Sequence, residues 1–319
     1  MNFAILNLMK GTILVTDNLF IFPEHEAKLR EAGYEIERLD KPEATEEELI
    51  EAVKGKVGYI LGGIERVTDK VIEAGNELKV VAFTGADATH FVPGMHAAAK
   101  RGVAVTTTPG ANAYAVAEYT LSVILAMTRN IFELSRTGDK TFQTTKSLRE
   151  LTVGIVGMGH IGQLMAKHLT ALGCKRVLYS NRTIKEDIEK ETGIEYASLD
   201  EVLNQSDVVT LHVSKAVGEG FIDAEELTKM KDGTLLVNCG FMGGVNRDAL
   251  LSELQNGRLR AAEDGPKDER FESLPLSTWY CSNAHTAYNT HEANKVASDM
   301  AVESLLNILE TGNDQYKIT

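Results

Sequence analysis

The sequence predicts an α/β protein with two doubly wound domains, each built on a parallel sheet. Three observations lead to this prediction. Short apolar runs alternate with helical patterns from Gly11 to Thr108. Thr108-Pro109-Gly110 then breaks the pattern, and a long apolar helix (111–128) and a polar stretch (137–149) follow. A second alternation begins at Leu151, and 319 residues are enough for two cores.

The first alternation predicts a sheet covered by helices on both faces. Its strands are predicted at 13–16, 34–39, 57–61, 80–83 and 103–106, and its helices near 23–32, 46–53, 69–74 and 96–100. Thr45 is followed three residues later by Glu48, the pattern of a capping box at a helix start.

The second alternation opens with a glycine-rich turn. The run Gly157-Met158-Gly159-His160-Ile161-Gly162 follows an apolar strand and leads into a helix and a further strand (176–179). Gly157 permits a tight turn, Gly159 lets the backbone approach a pyrophosphate, and Gly162 lets helix and strand pack closely. Free N–H groups at the helix start, from His160 and Ile161, face the phosphates. We expect a Rossmann-type dinucleotide site; the alternative is an ordinary strand-to-helix turn.

The rest of the second domain continues the same pattern. Further strands are predicted at 208–212, 234–238 and 260–262, and helices near 199–204, 223–230 and 248–256. Asp223 with Glu226 predicts a second capping box. A strongly periodic helix at 292–309 has no strand after it.

The loop after the second strand of this domain favours NADP(H). An acidic residue at this strand end binds the ribose 2′-hydroxyl and repels a 2′-phosphate. Here the loop reads Asn181-Arg182-Thr183 and has no carboxylate. An amide, a guanidinium and a hydroxyl can hold a phosphate. NAD(H) stays possible, because Arg182 could be only a solvated loop charge.

Composition excludes several classes of partner. Apolar residues make up 43% of the chain and charged residues 25%, as in a soluble globular protein. A net charge of −13 argues against nucleic-acid and anionic-membrane partners. Cys174, Cys239 and Cys281 are widely spaced, without metal-ligand spacing, which favours reduced thiols in the cytoplasm. The apolar start lacks the basic residues of a signal peptide, and Met9 is an alternative to Met1 as first residue.

Several segments together resemble one enzyme family, the D-isomer-specific 2-hydroxyacid dehydrogenases. The segments are Thr108-Pro109-Gly110-Ala111-Asn112-Ala113, Val116-Ala117-Glu118, the Gly157 turn, Leu211-His212-Val213, Asp248-Ala249-Leu250-Leu251 and Asn256-Gly257-Arg258-Leu259. The resemblance implies a Rossmann-type nucleotide domain (109–286) inserted in a flavodoxin-like substrate domain (1–108 and 287–319). It also implies a cleft between the domains, a small-molecule substrate, and a homodimer in which the helix from Ala111 takes part.

The resemblance also implies a hydride transfer assisted by a histidine and a carboxylate. His285, in Asn283-Ala284-His285-Thr286-Ala287, stands where the family has its acid/base histidine. Asp264 matches the family's aspartate near the nicotinamide, and Glu269 then falls on the carboxylate that holds the histidine. Asp268 and Glu272 stay open as alternatives. Further cofactor-binding positions carried over from the family are His212, Val213, Cys239, Gly240, Asp264 and His285.

The chain departs from the family where a substrate carboxylate is bound. Counting from Asn238 puts Phe241 in the place of the family's arginine, and anchoring on Gly243-Gly244 puts Met242 there. In the substrate domain, Asp87 replaces a glycine of the loop whose backbone N–H groups hold the carboxylate, beside Ala86. Asp87 either points into the cleft and repels anions, or turns outward and caps the turn at Thr89.

These losses favour a carbonyl or imine substrate that is not a simple 2-keto acid. An apolar or cationic group beside the reacting carbon would suit Phe241, Met242, Tyr288 and Asp87. In the rival interpretation, His90, Arg247 or backbone amides bind a carboxylate. A different class of function is a non-catalytic NADP(H)-binding sensor or scaffold on the same fold.

Overall fold

The computed structural model describes residues 9–16, 20–41, 43–138 and 144–319; Met1 lies outside them. The chain divides into two compact units, Met1–Asn112 with Thr290–Thr319, and Ala113–Asn289. The crossings therefore fall at 112/113 and 289/290, where the sequence analysis placed them at 108/109 and 286/287. The assignment of the first unit to the substrate stays a prediction.

The first unit is a five-stranded parallel sheet in the order β2-β1-β3-β4-β5, which is flavodoxin-like. Its strands are β1 (Gly11–Thr16), β2 (Tyr34–Arg38), β3 (Lys56–Leu61), β4 (Val80–Phe83) and β5 (Ala104–Thr106). Its helices are α1 (Pro23–Glu31), α2 (Glu46–Ala52), α3 (Asp69–Ala74), α4 (Met95–Arg101) and the closing helix His291–Thr311. The β4 side chains are all buried, as a strand covered on both faces requires. The capping box of Thr45 and Glu48 is confirmed.

The second unit is a seven-stranded parallel sheet in the order β12-β11-β10-β9-β6-β7-β8. Its strands are β6 (Thr152–Val156), β7 (Arg176–Ser180), β8 (Glu195–Tyr196), β9 (Val208–Leu211), β10 (Leu235–Asn238), β11 (Arg260–Glu263) and β12 (Trp279–Cys281). Its helices are α5 (Ala113–Thr128), α6 (Ile131–Thr137), α7 (His160–Ala171), α8 (Glu186–Thr192), α9 (Leu199–Gln205), α10 (Ala224–Lys229) and α11 (Arg247–Gln255).

The strand order of the second unit places a ligand crevice at one point. The order reverses between β6 and β9, and open parallel sheets bind ligands at the carboxyl ends of strands beside such a switch. The glycine turn follows β6, and His212 follows β9. The capping box of Asp223 and Glu226 is confirmed in this unit. The predicted doubly wound α/β class is therefore confirmed for both units.

Four elements of the second unit were absent from the sequence prediction. Helix α8 buries only Ile188 and α6 buries no residue, so neither shows an apolar stripe. Strand β8 has two exposed residues and β12 only three residues, too few for a periodic pattern. No helix in the described ranges is long and apolar enough to cross a membrane. Cys174, Cys239 and Cys281 are free thiols.

Candidate active site

The three glycines of the turn after β6 differ in the space around them. Gly157 has φ +96°, and a Cβ there would lie 2.5 Å from the backbone oxygen of His212. A Cβ at Gly162 would lie 2.1 Å from the oxygen of Gly157. At Gly159 a Cβ would meet nothing within 4 Å. Packing thus requires glycine at Gly157 and Gly162, whereas Gly159 faces open space.

An open groove of about 890 Å³ adjoins the glycine turn. It is lined by Val156, Gly157, Met158, Gly159, Ser180, Asn181, Arg182, Thr183, Lys185, Leu199, His212, Val213, Ser214, Ala216, Val217 and Phe221. The exposed His160 begins α7, and Ile161 follows it, so their N–H groups lie at the helix start beside Gly159. A dinucleotide needs both features, a groove and a helix start that faces phosphate.

Asn181 has a structural role that the sequence analysis did not predict. Its Oδ1 accepts a hydrogen bond from the N–H of Met158 at 3.1 Å, and its Nδ2 donates to the oxygen of Thr183 at 2.8 Å. The amide therefore joins the glycine turn to the loop after β7. The part of Asn181 in holding a phosphate stays a prediction, because its amide nitrogen carries two hydrogens and the bond to the Thr183 oxygen uses one of them.

The charged side chains of this loop, Arg182 and Lys185, are both basic. Arg182 and Thr183 are exposed, and Lys185 also lines the groove. Among the described residues that line it, none is Asp or Glu. Lys185 was not among the predicted cofactor-binding residues, although it lies only three positions after Arg182 in the same loop.

His212 is a neutral lining residue. Its Nε2 lies 3.0 Å from the hydroxyl of Thr210, and burial lowers the pKa of the imidazole to about 4. At neutral pH the ring therefore carries no charge toward the groove. Val213 follows it in the lining.

The end of β10 forms a tight turn held by Asn238. Its Oδ1 accepts from the N–H of Gly240 at 3.1 Å, and its Nδ2 donates to the oxygen of Phe241 at 3.1 Å. Cys239 is buried, and burial raises the pKa of its thiol to about 12. The thiol is therefore protonated and packed in the core. A ligand could contact the backbone of Cys239 but not its sulfur.

His285 is held by Asp264. The imidazole Nδ1 lies 3.0 Å from the backbone oxygen of Asp264 and 3.8 Å from its carboxylate. Asp264 is fully buried, and its carboxylate accepts from the N–H groups of Thr286 at 2.9 Å and Ala287 at 2.8 Å. The His285 side chain is 55% exposed, and the ring of Tyr288 lies 5.9 Å from it, centroid to centroid. The predicted histidine thus projects from a turn wrapped around a buried carboxylate.

Glu269 does not hold the histidine in this structure. It begins a short 3-10 turn at Glu269–Phe271 and is exposed. Among the described residues, the hydrogen-bond and ion-pair partner of His285 is Asp264. The predicted Glu269–His285 pair is therefore corrected. Asp268 is not the partner either, because Arg270 binds it and holds the pKa of that carboxyl at about 2.

Arg247 does not replace the missing arginine. Its guanidinium pairs with the buried Glu263, approaches Asp268 at 3.4 Å, and lies 4.3 Å from the centre of the Phe271 ring. Trp279 Nε1 donates to the same Glu263 at 2.9 Å. A guanidinium that is paired with a buried carboxylate and stacked on a ring has a structural role, so it does not serve as the binding group for a substrate carboxylate.

Apolar side chains lie where the sequence comparison located the arginine. The Met242 side chain packs on Gly265, since a Cβ there would lie 2.9 Å from its Cγ and Sδ. Gly265 directly follows Asp264, whose carbonyl holds His285. The Phe241 ring packs against Gly243, with 2.7 Å from its Cζ to a Cβ at that position. The thioether of Met242 therefore contacts Gly265, the residue that directly follows Asp264 in the chain.

In the first unit, Asp87 caps its own turn. Its Oδ1 accepts from the N–H of Thr89 at 2.9 Å and also from the hydroxyl of Thr89. Of the two alternatives in the sequence analysis, the structure shows the capping role. Ala86 and Asp87 are both exposed.

The strand order and the glycine turn define the class of dinucleotide-binding proteins. Residues 121–291 match the D-isomer specific 2-hydroxyacid dehydrogenase, NAD binding domain. A hydroxypyruvate reductase from Thermotoga maritima is 30% identical over 81% of this chain and 87% of its own length. A D-3-phosphoglycerate dehydrogenase from Methanocaldococcus jannaschii is 30% identical over 93% of this chain, which spans 57% of that relative. The chain belongs to the D-isomer specific 2-hydroxyacid dehydrogenase family.

Solved structures agree with this assignment. A protein from Thermus thermophilus is 30% identical, with a TM-score of 0.82, over 97% of this chain and 100% of its own. A D-lactate dehydrogenase from Treponema pallidum is 25% identical, with a TM-score of 0.81, over 97% of this chain and 99% of its own.

Proposed function

We propose that this protein is an NADP(H)-dependent oxidoreductase that reduces a carbonyl group, with His285 as the acid/base. The observation that carries the proposal is the contact between His285 Nδ1 and the carbonyl oxygen of Asp264, at 3.0 Å. It supplies what a proton donor needs, an imidazole held in one orientation with its other nitrogen free to face a substrate. The groove beside the glycine turn supports the cofactor half of the proposal.

The contact with Asp264 determines which nitrogen exchanges the proton. A carbonyl oxygen only accepts hydrogen bonds, so Nδ1 carries a hydrogen in both protonation states of the ring. Nε2 is then the acid/base atom: it donates to the substrate oxygen as an imidazolium and ends the reaction with a lone pair. The Asp264 carboxylate lies 3.8 Å from Nδ1, on the side of the ring away from Nε2. A bound nicotinamide supplies the hydride.

Two cations support NADPH over NADH. Arg182 and Lys185 both line the groove, and no described lining residue is an acid that would repel a 2′-phosphate. A guanidinium can bind a phosphate with two parallel hydrogen bonds, which a lysine cannot. Arg182 is therefore the residue on which cofactor choice should depend most.

Replacing Arg182 with Gln is expected to raise the NADPH Kd about tenfold or more and to leave the NADH Kd nearly unchanged, because one charge-assisted phosphate contact is lost. Fluorescence titration with each cofactor measures both constants. Lys190→Gln is the matched control, since Lys190 is an exposed cation of α8 outside the groove. Tight NADH binding by the unmodified protein without NADPH binding would contradict the proposal.

The substrate should carry an apolar group where 2-keto acids carry a carboxylate. The Met242 side chain packs on Gly265, the residue after Asp264, and the Phe241 ring packs on Gly243; neither side chain can bind an anion. Arg247, one of the donors in the rival interpretation, is committed to Glu263 and Phe271. An uncharged 2-ketone therefore suits this part of the site better than a 2-keto acid does.

Diacetyl and pyruvate form a matched pair of test substrates, because a methyl group in one takes the place of a carboxylate oxygen in the other. With NADPH, kcat/KM is expected to be at least about tenfold higher for diacetyl, the discrimination that roughly 1.4 kcal/mol supplies. Met242→Arg is expected to reverse the preference by raising kcat/KM for pyruvate, and Met242→Leu serves as its control. Vigorous turnover of pyruvate, glyoxylate or hydroxypyruvate by the unmodified protein would overturn this proposal.

A non-catalytic NADP(H)-binding sensor is the second candidate function. The committed Arg247 and the apolar Met242 favour it, because the cofactor groove persists while the family's anion-binding residue is gone. The held imidazole of His285 argues for catalysis, since a sensor does not need one. A homodimer and a cytoplasmic location stay predictions.

A further inference from the structure

The turn that carries His285 is in a strained conformation. Asn283 has φ +59° and His285 has φ +49°, both in the left-handed region. Residues other than glycine enter this region at a cost, and they stay there only when the surrounding structure holds them. Two such residues within three positions therefore need a strong local restraint.

The restraint is the carboxylate of Asp264. Its Oδ1 accepts from the N–H of Thr286 at 2.9 Å and its Oδ2 from the N–H of Ala287 at 2.8 Å. Because the carboxylate is fully buried, these charge-assisted bonds are not screened by water. Its backbone oxygen holds the imidazole at the same time. One residue thus fixes the backbone of the turn and the orientation of the ring.

Asp264 is itself anchored to the end of the sheet. Its N–H donates to the oxygen of Asn238 at 3.1 Å, which extends the pairing of β10 and β11 by one residue. The N–H of Ser282 donates to the oxygen of Glu263 at 3.1 Å, so the start of the His285 turn joins the same strand. Glu263 is in turn fixed by Arg247 and Trp279. The restraint on His285 therefore originates in rigid strand ends.

We propose that Asp264 is the positioning residue of His285, in the role that the resemblance assigned to Glu269. Its catalytic meaning rests on the proposed function, in which His285 exchanges a proton. Asp264 acts through the turn and through its carbonyl, and Glu269 contributes nothing to the orientation of the ring. The Asp264 carboxylate is buried and the Glu269 carboxylate is exposed, so substitutions at the two positions should have different effects on His285.

The test is NMR on the intact protein without substrate. Long-range proton–nitrogen spectra report the tautomer of His285, and amide exchange reports the N–H groups of Thr286 and Ala287. In the unmodified protein we expect the tautomer with the hydrogen on Nδ1, and slow exchange at both amides. In Asp264→Asn one acceptor becomes an N–H donor, so we expect a mixed tautomer and exchange about tenfold faster or more. Asp232→Asn, at an exposed position, is the matched control.

Three results would overturn the proposal: a hydrogen on Nε2 in the unmodified protein, Asp264→Asn spectra like those of the unmodified protein, or the same disturbance in Glu269→Gln. If Asp264→Asn fails to fold, the proposal is tested by the His285 tautomer and the amide exchange of the unmodified protein, and by the same two measurements on Asp264→Glu. Steady-state kinetics with diacetyl provide a second measurement, in which Asp264→Asn should lower kcat more than it changes KM. Absence of turnover in the unmodified protein would contradict the proposed function and leave the NMR result standing.

Discussion

Replacing His285 with Asn is expected to lower kcat for diacetyl reduction by about 10²- to 10⁴-fold, the usual contribution of a positioned acid/base. Asparagine keeps a polar side chain of similar size but cannot exchange a proton at this site. The resemblance places His285 among the cofactor-binding residues, but the groove, the glycine turn and Arg182 are unchanged, so NADPH binding should weaken far less than kcat falls. Steady-state kinetics measure kcat, and a fluorescence titration measures the Kd for NADPH.

The control for this variant is His96→Asn, at an exposed histidine of α4. It should leave kcat, KM and NADPH binding unchanged. If His285→Asn retains full turnover, the acid/base role is wrong. If the unmodified protein binds NADPH and turns over no carbonyl compound, while His285→Asn keeps its biological activity, the sensor is the better interpretation.

The paired substitutions Gly162→Ala and Gly159→Ala should separate folding from cofactor binding: the first should impair folding, and the second should impair cofactor binding alone. At Gly162 the new methyl group would meet the backbone oxygen of Gly157 at 2.1 Å, and neither helix nor turn can move easily. We expect the free energy of unfolding to fall by about 3 kcal/mol or the protein not to fold, as overpacking of a tight contact predicts. Urea denaturation measures the change.

At Gly159 the same methyl group meets no protein atom, and φ −79° is allowed for any residue. Stability should therefore stay within about 0.5 kcal/mol, as for a substitution that disturbs no packing. NADPH binding should weaken about tenfold or more, because the methyl group enters the space that a pyrophosphate needs. If Gly159→Ala binds NADPH normally, the phosphates do not approach this turn as proposed.

The sequence predicted the fold because its signals are local. Apolar runs of four to six residues, the helices between them, and the capping boxes at Thr45 and Asp223 depend on neighbours within a few positions. The glycine spacing is local too, and the space around Gly157, Gly159 and Gly162 agrees with the role predicted for each. Helix α8 and strand β8 were missed because they bury too little to leave a periodic pattern.

Partners of polar side chains were harder to predict. The family resemblance implied Glu269 as the partner of His285, whereas Asp264 is the residue in contact with it. The sequence indicated a phosphate donor at Asn181 but not that its Oδ1 accepts from the N–H of Met158. The alternatives for Asp87 were equal until its bond to Thr89 was seen. Each partnership depends on where the fold places the two residues and on their rotamers, which no residue pattern records.

By itself, the sequence determined the two doubly wound units, the dinucleotide turn and the absence of an acid at the end of β7. These follow from periodicity and from residue types at fixed spacing. Only the tertiary structure decided that Asp264 holds His285 and that Arg247 is bound by Glu263. Those contacts join residues 21 and 16 positions apart. Such residues meet only because parallel strands bring their carboxyl ends to one edge of the sheet, where burial then selects which charges are paired.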